Sequence, residues 1–205
     1  SISTPERIAL AVAGPAFLRA LRDGKAPRAV WAALPGEDWP ARVAEALAAA
    51  FAAGRGALAV VADARDLDRL DAALTAVLGP GRHVALSAAL GPAERYRRFL
   101  AASRHGVRVV IGTRAAALAP VADLGLVAIW DDGDDLHAEP RAPYAHARDV
   151  LVHRAHLAGC AAVVAATART AEAALLVESG WAHQLQADRA TLRAAAPRVQ
   201  ALGED

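Results

Sequence analysis

The chain has 205 residues, of which 55% are hydrophobic and only 4% aromatic, so its core must consist mainly of small and branched aliphatic side chains. With 23 basic and 22 acidic residues its net charge is +1, which excludes a general attraction to nucleic acid and restricts any such contact to a local patch. The single cysteine, Cys160, excludes an internal disulfide and a multi-cysteine zinc site, and no apolar run is long enough for a membrane span.

The chain contains no methionine, so we interpret it as a piece of a longer protein. Nothing near its N-terminus resembles a cleavable signal, and we expect a cytoplasmic location with no membrane partner. Its length fits one sizeable domain. We predict that residues 1–25 lead in from an upstream domain and that residues 26–205 form the main domain.

Strands and helices are predicted to alternate along the chain after a first helix at residues 15–22. Apolar runs bounded by glycine, proline or aspartate predict strands at residues 29–34, 58–62, 83–87, 107–111, 126–130 and 161–166, and an edge strand at 184–186. Helical periodicity and capping residues predict helices at residues 41–53, 63–78, 92–104, 114–118, 144–157 and 170–178.

This alternation, at intervals of about 20–30 residues, is typical of βαβ units. The run at residues 126–130 is apolar throughout instead of alternating, which suits a strand buried on both faces, as in a parallel sheet. We therefore predict an α/β fold, with a mostly parallel sheet and helices on both of its faces.

Four aspartates follow the strand at residues 126–130 and so fall at the carboxyl edge of the predicted sheet, where such folds bind ligands: Asp131, Asp132, Asp134 and Asp135. Carboxylates at this edge hold Mg²⁺ in nucleotide-binding domains. The alternative is a solvated loop whose aspartates cap helices. We favour the second interpretation unless a phosphate-binding loop accompanies the aspartates.

The position for such a loop, after the first strand, holds Pro35, Gly36, Glu37, Asp38 and Trp39. A P-loop needs a glycine-rich turn that ends in Gly-Lys-Ser/Thr at a helix N-terminus, so that backbone N–H groups and the lysine hold the phosphates. Two carboxylates would instead repel a phosphate by about 1 kcal/mol per close pair even in water. The sole lysine, Lys25, precedes the strand, and Arg42 lies one turn inside the following helix. We predict that the phosphate-binding chemistry is missing.

Three blocks of sequence occur in a specific order: Gly54-Arg55-Gly56-Ala57-Leu58, Ile111-Gly112-Thr113-Arg114-Ala115-Ala116 and Tyr144-Ala145-His146-Ala147-Arg148-Asp149-Val150. They resemble blocks of the PriA family of replication-restart helicases, the primosomal N′ proteins, over roughly residues 15–185. The resemblance implies that residues 26–205 are the first RecA-like lobe of a superfamily 2 helicase, with a P-loop-type sheet between layers of helices.

Three ATPase elements depart from the family pattern. Residues 35–39 replace Gly-Ser-Gly-Lys-Thr, Ala165-Ala166-Thr167-Ala168 replaces Ser-Ala-Thr-Pro, and Asp131-Asp132-Gly133-Asp134 replaces Asp-Glu-Glu-His. In the last of these we assign Asp131 to the Mg²⁺ ligand and Gly133 to the position of the lost catalytic glutamate. Residues 35–39, Asp131 and Asp132 would then form a vestigial nucleotide site without a catalytic residue. We expect neither ATP nor Mg²⁺ here, and zinc only in family regions outside this chain.

The resemblance also implies that Gly112, Thr113 and Arg114 contact the backbone of single-stranded DNA. The equally weighted alternative is a helix cap with a surface arginine. For the arginines at residues 95, 97, 98 and 104 we favour a solvated helix face over a phosphate-binding one. For the histidines at residues 146, 153 and 156 we favour ordinary surface positions over a metal site.

The tryptophans at residues 39, 130 and 181 are predicted to be packing residues, and Trp39 is placed to fill the vacated nucleotide position. The function expected from all these features is that of a non-hydrolysing lobe that binds branched or single-stranded DNA and organises the primosome. Its partners would be other primosome proteins and the second helicase lobe of the same protein. The alternative is an active ATP-dependent 3′-5′ DNA helicase lobe. An unrelated α/β enzyme is a third hypothesis, but the chain lacks a recognisable nucleophile–base pair.

Overall fold

The structure is a computed structural model that describes residues 14–87, 90–104, 106–141, 145–187 and 189–195. Most of the predicted lead-in segment and Tyr144, at the start of the third family-like block, lie outside the described residues. No helix within the described ranges combines the length and the apolar character that crossing a membrane requires.

Strands and helices alternate as predicted. The strands are β1 (Arg28–Ala32), β2 (Gly56–Val60), β3 (His83–Leu86), β4 (Val109–Gly112), β5 (Leu124–Trp130), β6 (Ala161–Ala166) and β7 (His183–Gln186). The helices are α1 (Pro15–Arg22), α2 (Trp39–Ala52), α3 (Ala64–Leu78), α4 (Pro92–Arg104), α5 (Ala147–Ala158), α6 (Ala171–Glu178) and α7 (Arg189–Ala195), with short 3₁₀ helices at Arg114–Leu118 and Asp135–His137.

The seven strands form one sheet in the order β3-β4-β2-β5-β6-β1-β7, and every strand pairing is parallel. The predicted α/β fold class is therefore confirmed. Because all strands run the same way, their carboxyl ends meet at one edge of the sheet, and the segments after β1, β4 and β5 lie along that edge.

The central strand β5 is buried along its whole length, as its continuous apolar character predicts. Its side chains alternate between two core clusters: Leu126, Ala128 and Trp130 pack with α1, α2 and α3 on one face, whereas Val127 and Ile129 pack with α5 and α6 on the other. Both faces of the sheet are thus covered by helices, and β5 contributes side chains to both core clusters.

The first helix of the described residues, α1, belongs to the first of these clusters. Its residues Phe17, Leu18 and Leu21 are buried against the helices on that face of the sheet. Residues 15–22, which lie in the predicted lead-in segment, therefore share the core of the sheet.

Several boundaries differ from the predicted ones, two of them because of capping interactions. Helix α2 begins at Trp39, two residues before the predicted start, because the Asp38 carboxylate accepts a hydrogen bond from the Ala41 N–H at 3.2 Å. Helix α5 begins at Ala147 and not at residue 144, and the His146 ring accepts a hydrogen bond from the Arg148 N–H at 3.1 Å. Strand β4 ends one residue later than predicted, at Gly112.

Candidate functional site

The loop after β1 is closed by the side chain of Glu37. Its Oε2 accepts a hydrogen bond from the Leu34 N–H at 2.9 Å, and the residue is only 7% exposed. Burial raises the pKa of the Glu37 carboxyl, although the Leu34 N–H and the nearby Arg42 act in the opposite direction. Its other oxygen, Oε1, is buried and has no hydrogen-bond partner among the described residues. With Asp38 bonded to the Ala41 N–H, the carboxylates of this loop occupy its own backbone donors.

Trp39 fills the space between this loop and the end of β5. Its ring stacks on that of Trp130, with centroids 4.4 Å apart and an angle of 6° between the ring planes, and it is 4% exposed. Trp130 in turn packs at a tilt against Trp31 of β1, with centroids 5.8 Å apart. The Arg69 guanidinium carbon of α3 lies 5.4 Å from the centroid of the Trp39 ring. Trp39 and Trp130 are therefore packing residues, as predicted.

The acidic segment after β5 is a tight, capped turn. Asp131 has a positive φ of 55°, and its N–H donates a hydrogen bond to the Ala165 carbonyl of β6 at 2.7 Å. Burial raises the pKa of the Asp131 carboxyl, and so do the neighbouring Asp134 and Asp132, whereas His137 lowers it. The Asp134 carboxylate caps the following 3₁₀ helix. Within the described ranges, no group of three or more histidine, cysteine or acidic side chains is arranged to hold a metal ion.

Asp132 is part of a buried polar network. Its Oδ2 lies 3.2 Å from Nη1 of Arg148 and accepts a hydrogen bond from the Thr170 hydroxyl at 2.7 Å, and Asp132 is 1% exposed. The network joins the end of β5 to α5 and to the start of α6. A side chain at Gly133 would meet the Thr170 methyl group at 2.9 Å, so the turn is closely packed as well. The structure places Asp132 in an internal ion pair and away from solvent.

The predicted DNA-binding triplet lies at the end of β4. Gly112 is packed against Leu86 and Ala116, and the N–H of the buried Thr113 donates a hydrogen bond to the Leu86 carbonyl at 3.2 Å. Arg114 is partly exposed and extends across the edge of the sheet to the segment after β5.

Arg114 is held there by three acceptors. Its Nη1 donates hydrogen bonds to the carbonyls of Leu136 and Ala138, at 3.3 and 2.7 Å, and its Nη2 lies 3.1 Å from the Glu139 carboxylate. The structure thus joins two regions that the sequence treats separately, the triplet after β4 and the loop after β5.

A groove of about 610 Å³ lies beside these contacts. Its charged lining residues are Arg95, Arg114, Glu139 and Arg141. Glu139 and Arg141 are not among the site residues predicted from the sequence, and the arginines of α4 are predicted there as one group. The sequence does contain a signal that distinguishes these arginines, because Glu94 precedes Arg97 and Arg98 by three and four residues. In the structure Glu94 pairs with both of them, whereas Arg95 faces the groove.

The sequence of the chain is similar to those of several replication restart proteins, although no protein-family model matches it. The chain is 58% identical over 191 residues to the "Probable replication restart protein PriA" of Mycobacterium tuberculosis (strain CDC 1551 / Oshkosh), a match that covers 93% of this chain and 29% of the relative. The PriA of Mycobacterium leprae (strain TN), also named probable, is 56% identical over the same shares of both chains. The "Replication restart protein PriA" of Bacillus subtilis (strain 168) is 29% identical over 91 residues, which are 44% of this chain and 11% of that one.

Among solved structures, the fold is similar to that of "S. cerevisiae Dbp5 bound to RNA and ADP BeF3", with a TM-score of 0.50 and 12% identity over 77% of this chain and 38% of that one. This likeness shows a shared RecA-like fold. The chain spans 29% of the length of the mycobacterial relatives. From the sequence matches, the chain belongs to the PriA family of replication restart proteins and corresponds to a segment of such a protein.

Proposed function

We propose that this chain is a helicase-like lobe that does not hydrolyse ATP and that serves replication restart by binding DNA and helping to assemble the primosome. The high sequence identity to the mycobacterial replication restart proteins supports the proposed role in replication restart. The observation that carries the non-hydrolysing part is the closed loop after β1, in which Glu37 turns inward and Trp39 stacks on Trp130.

Electrostatics and packing both oppose a triphosphate in this loop. A phosphate next to the Asp38 carboxylate, or next to Glu37 when Glu37 is ionised, is repelled by about 1 kcal/mol per close pair in water, and by more where water is excluded. To make room, Trp39 would have to leave Trp130. That costs about 0.5–1.5 kcal/mol of ring stacking, in addition to about 1.5–3 kcal/mol for exposing a large apolar side chain. The loop supplies no lysine to offset either cost.

The DNA-binding part of the proposal rests on the arginine-lined groove at the end of β4. Three arginines face one acidic residue there, whereas the chain as a whole has a net charge of only +1. A local positive groove attracts a phosphate backbone without any general positive charge. The ligand would be branched or single-stranded DNA, bound together with the second lobe of the same protein, and other primosome proteins would be its partners.

Measurements of ATP hydrolysis with the full-length protein, with and without single-stranded DNA, test the proposal. We expect no DNA-stimulated turnover above that of Asp131→Ala, and no change in tryptophan fluorescence on titration with Mg²⁺ and ATP. A turnover that DNA stimulates and that Asp131→Ala abolishes would instead support the alternative, an active ATP-dependent helicase lobe.

A further inference from the structure

One carboxylate of the chain itself occupies the arginines of the groove. Glu139 lies between two of them, with Oε2 at 3.1 Å from Nη2 of Arg114 and Oε1 at 3.3 Å from Nε of Arg141. Its side chain is only 18% exposed. Arginines bind phosphate in the same arrangement, with two guanidinium groups that contact two oxygens of one anion. Glu139 therefore holds the place that a phosphate group would take.

We infer that Glu139 is an internal mimic of a backbone phosphate, which holds Arg114 and Arg141 until single-stranded DNA displaces it. The inference rests on the DNA binding proposed above and adds a residue that limits its affinity. Glu139 would make weak or transient contacts with DNA ineffective, because each bound phosphate must first replace an internal anion.

The charge distribution of the groove supports this role. Among the described residues that line it, the arginines are Arg95, Arg114 and Arg141, and Glu139 is the one acidic residue. Removing the charge of Glu139 would leave three positive charges with no anion among them. The Arg95 side chain makes no hydrogen bond or ion pair within the described part of the chain, although its backbone N–H donates to the Gly91 carbonyl, so the guanidinium group is available to a phosphate.

Two features allow Glu139 to leave the groove without loss of the site: its exposed ion pair with Arg141 and the other hydrogen bonds of Arg114. The Arg141 side chain is 83% exposed, and ion pairs in such positions are weak because water and salt screen them. The carbonyls of Leu136 and Ala138 continue to accept hydrogen bonds from Nη1 of Arg114 when Glu139 moves away. The guanidinium group therefore stays in position, with Nη2 free for a phosphate oxygen.

Binding of a fluorescent oligo(dT) strand to the full-length protein, followed by anisotropy across a range of salt concentrations, tests the inference. Glu139→Gln should bind roughly 3–10-fold more tightly at low salt. Its plot of log affinity against log salt concentration should be steeper by about 0.7 for each additional phosphate that the arginines neutralise. Adding Arg114→Ala to Glu139→Gln should return the affinity to the wild-type value or below it.

Glu94→Gln is the matched control. Glu94 also lies between two arginines, Arg97 and Arg98, at 3.1 and 3.0 Å, and it does not line the groove. The Glu94→Gln substitution removes the same charge as Glu139→Gln, and we expect it to change the affinity for the DNA strand less than Glu139→Gln does. An equal increase in affinity in both variants would mean that net charge alone sets the affinity and would overturn the inference.

The inference and the proposed DNA binding fail in different ways. If the wild-type protein binds the strand and Glu139→Gln binds it no better, Glu139 is not a competitor, and the proposed DNA binding stands. If neither protein binds the strand, the proposed DNA binding fails, and inorganic tripolyphosphate then decides the role of Glu139. Tighter binding of tripolyphosphate by Glu139→Gln supports the phosphate mimic, and equal binding overturns it.

Discussion

Glu37 is a carboxyl group whose ionisation the fold opposes. One of its oxygens has a hydrogen bond from Leu34 and the other has none within the described part of the chain. Burial raises the pKa of Glu37 above the usual value of 4.5. Between the pKa of Glu37 in the unfolded chain and its higher pKa in the folded protein, the folded protein keeps a proton at Glu37 that the unfolded chain has released. The contribution of Glu37 to stability is therefore fully present below the unfolded pKa and is lost as the pH rises through the folded pKa.

Replacing Glu37 by glutamine, which does not ionise, removes this pH dependence. We expect the stability of Glu37→Gln relative to wild type to increase as the pH rises from about 4.5 towards neutrality, measured as the urea midpoint in a pH series. Glu178→Gln, an exposed substitution at the end of α6, is the control and should follow the wild-type curve. Parallel curves for Glu37→Gln and wild type would show that Glu37 ionises normally in the folded protein.

At the scale of residues, the sequence predicts the position of the acidic segment but not what each carboxylate does there. Asp131 and Asp132 are adjacent in the chain, yet Asp132 is buried in an ion pair with Arg148 and Asp131 is not. The partner lies on another helix, and neither periodicity nor composition identifies it. For the same reason the sequence places Arg114 at a surface without indicating that Glu139 is bound to it.

At the scale of elements, Gly112 determines how closely β4 approaches its neighbours. A Cβ at this position would lie 2.5 Å from both the Leu86 carbonyl oxygen and the Ala116 Cβ. These contacts involve backbone and a short side chain, so neither can move without shifting β3 or the 3₁₀ helix that begins at Arg114. The glycine in the family-like block thus has a packing reason that is independent of any DNA contact.

We expect Gly112→Ala to reduce the free energy of unfolding by about 1–3 kcal/mol, because it overfills a packed site. The measurement is urea denaturation followed by circular dichroism. Gly91→Ala is the matched control: a Cβ there would meet nothing within 4 Å, and the change should stay within about 0.5–1 kcal/mol. Equal losses in the two variants would mean that glycine flexibility, and not the space around Gly112, sets the stability.

Most of the strands and helices are predictable because they have an apolar run or stripe of the right length between glycine, proline or aspartate residues, whereas β7 and the unpredicted helix α7 have none. The boundaries of the elements are less predictable. Helix α2 starts before its apolar stripe because Asp38 and Trp39 take part in the contacts of the loop, and α5 starts at Ala147, directly after its capping histidine, His146. These are side-chain contacts that the hydrophobic pattern does not contain.

At the scale of the whole molecule, β5 connects the two core layers and should be the most stable part of the sheet. It is buried throughout and is paired with β2 on one side and β6 on the other. The edge strand β7 is partly exposed and, within the described residues, is paired with β1 alone. Local opening therefore costs less at β7 than at β5.

Hydrogen exchange followed by mass spectrometry measures this difference. We expect amides of β5 to exchange only through global unfolding and amides of β7 to exchange much faster, with β3 at the other edge of the sheet between them. Peptides from β5 and β7 that exchange at the same rate would contradict this order. They would indicate that something outside the described residues covers β7.

The fold class was predictable from the sequence because the βαβ pattern repeats along the whole chain. The order of the strands was not, because every pairing joins segments that are distant in sequence. The resemblance to the PriA family predicts a vestigial nucleotide site at residues 35–39, and the structure shows the Trp39 ring there, stacked on that of Trp130.

The order of the strands also has a consequence for synthesis of the protein. Strand β1, with Trp31 near its centre, lies between β6 and β7, which are the last two strands of this sheet to leave the ribosome. Until they emerge, β1 has both of its edges unpaired and its apolar side chains uncovered, a state that is prone to aggregation. Nascent chains that stop before β6 should therefore depend on chaperones, whereas chains that extend past β7 complete the sheet.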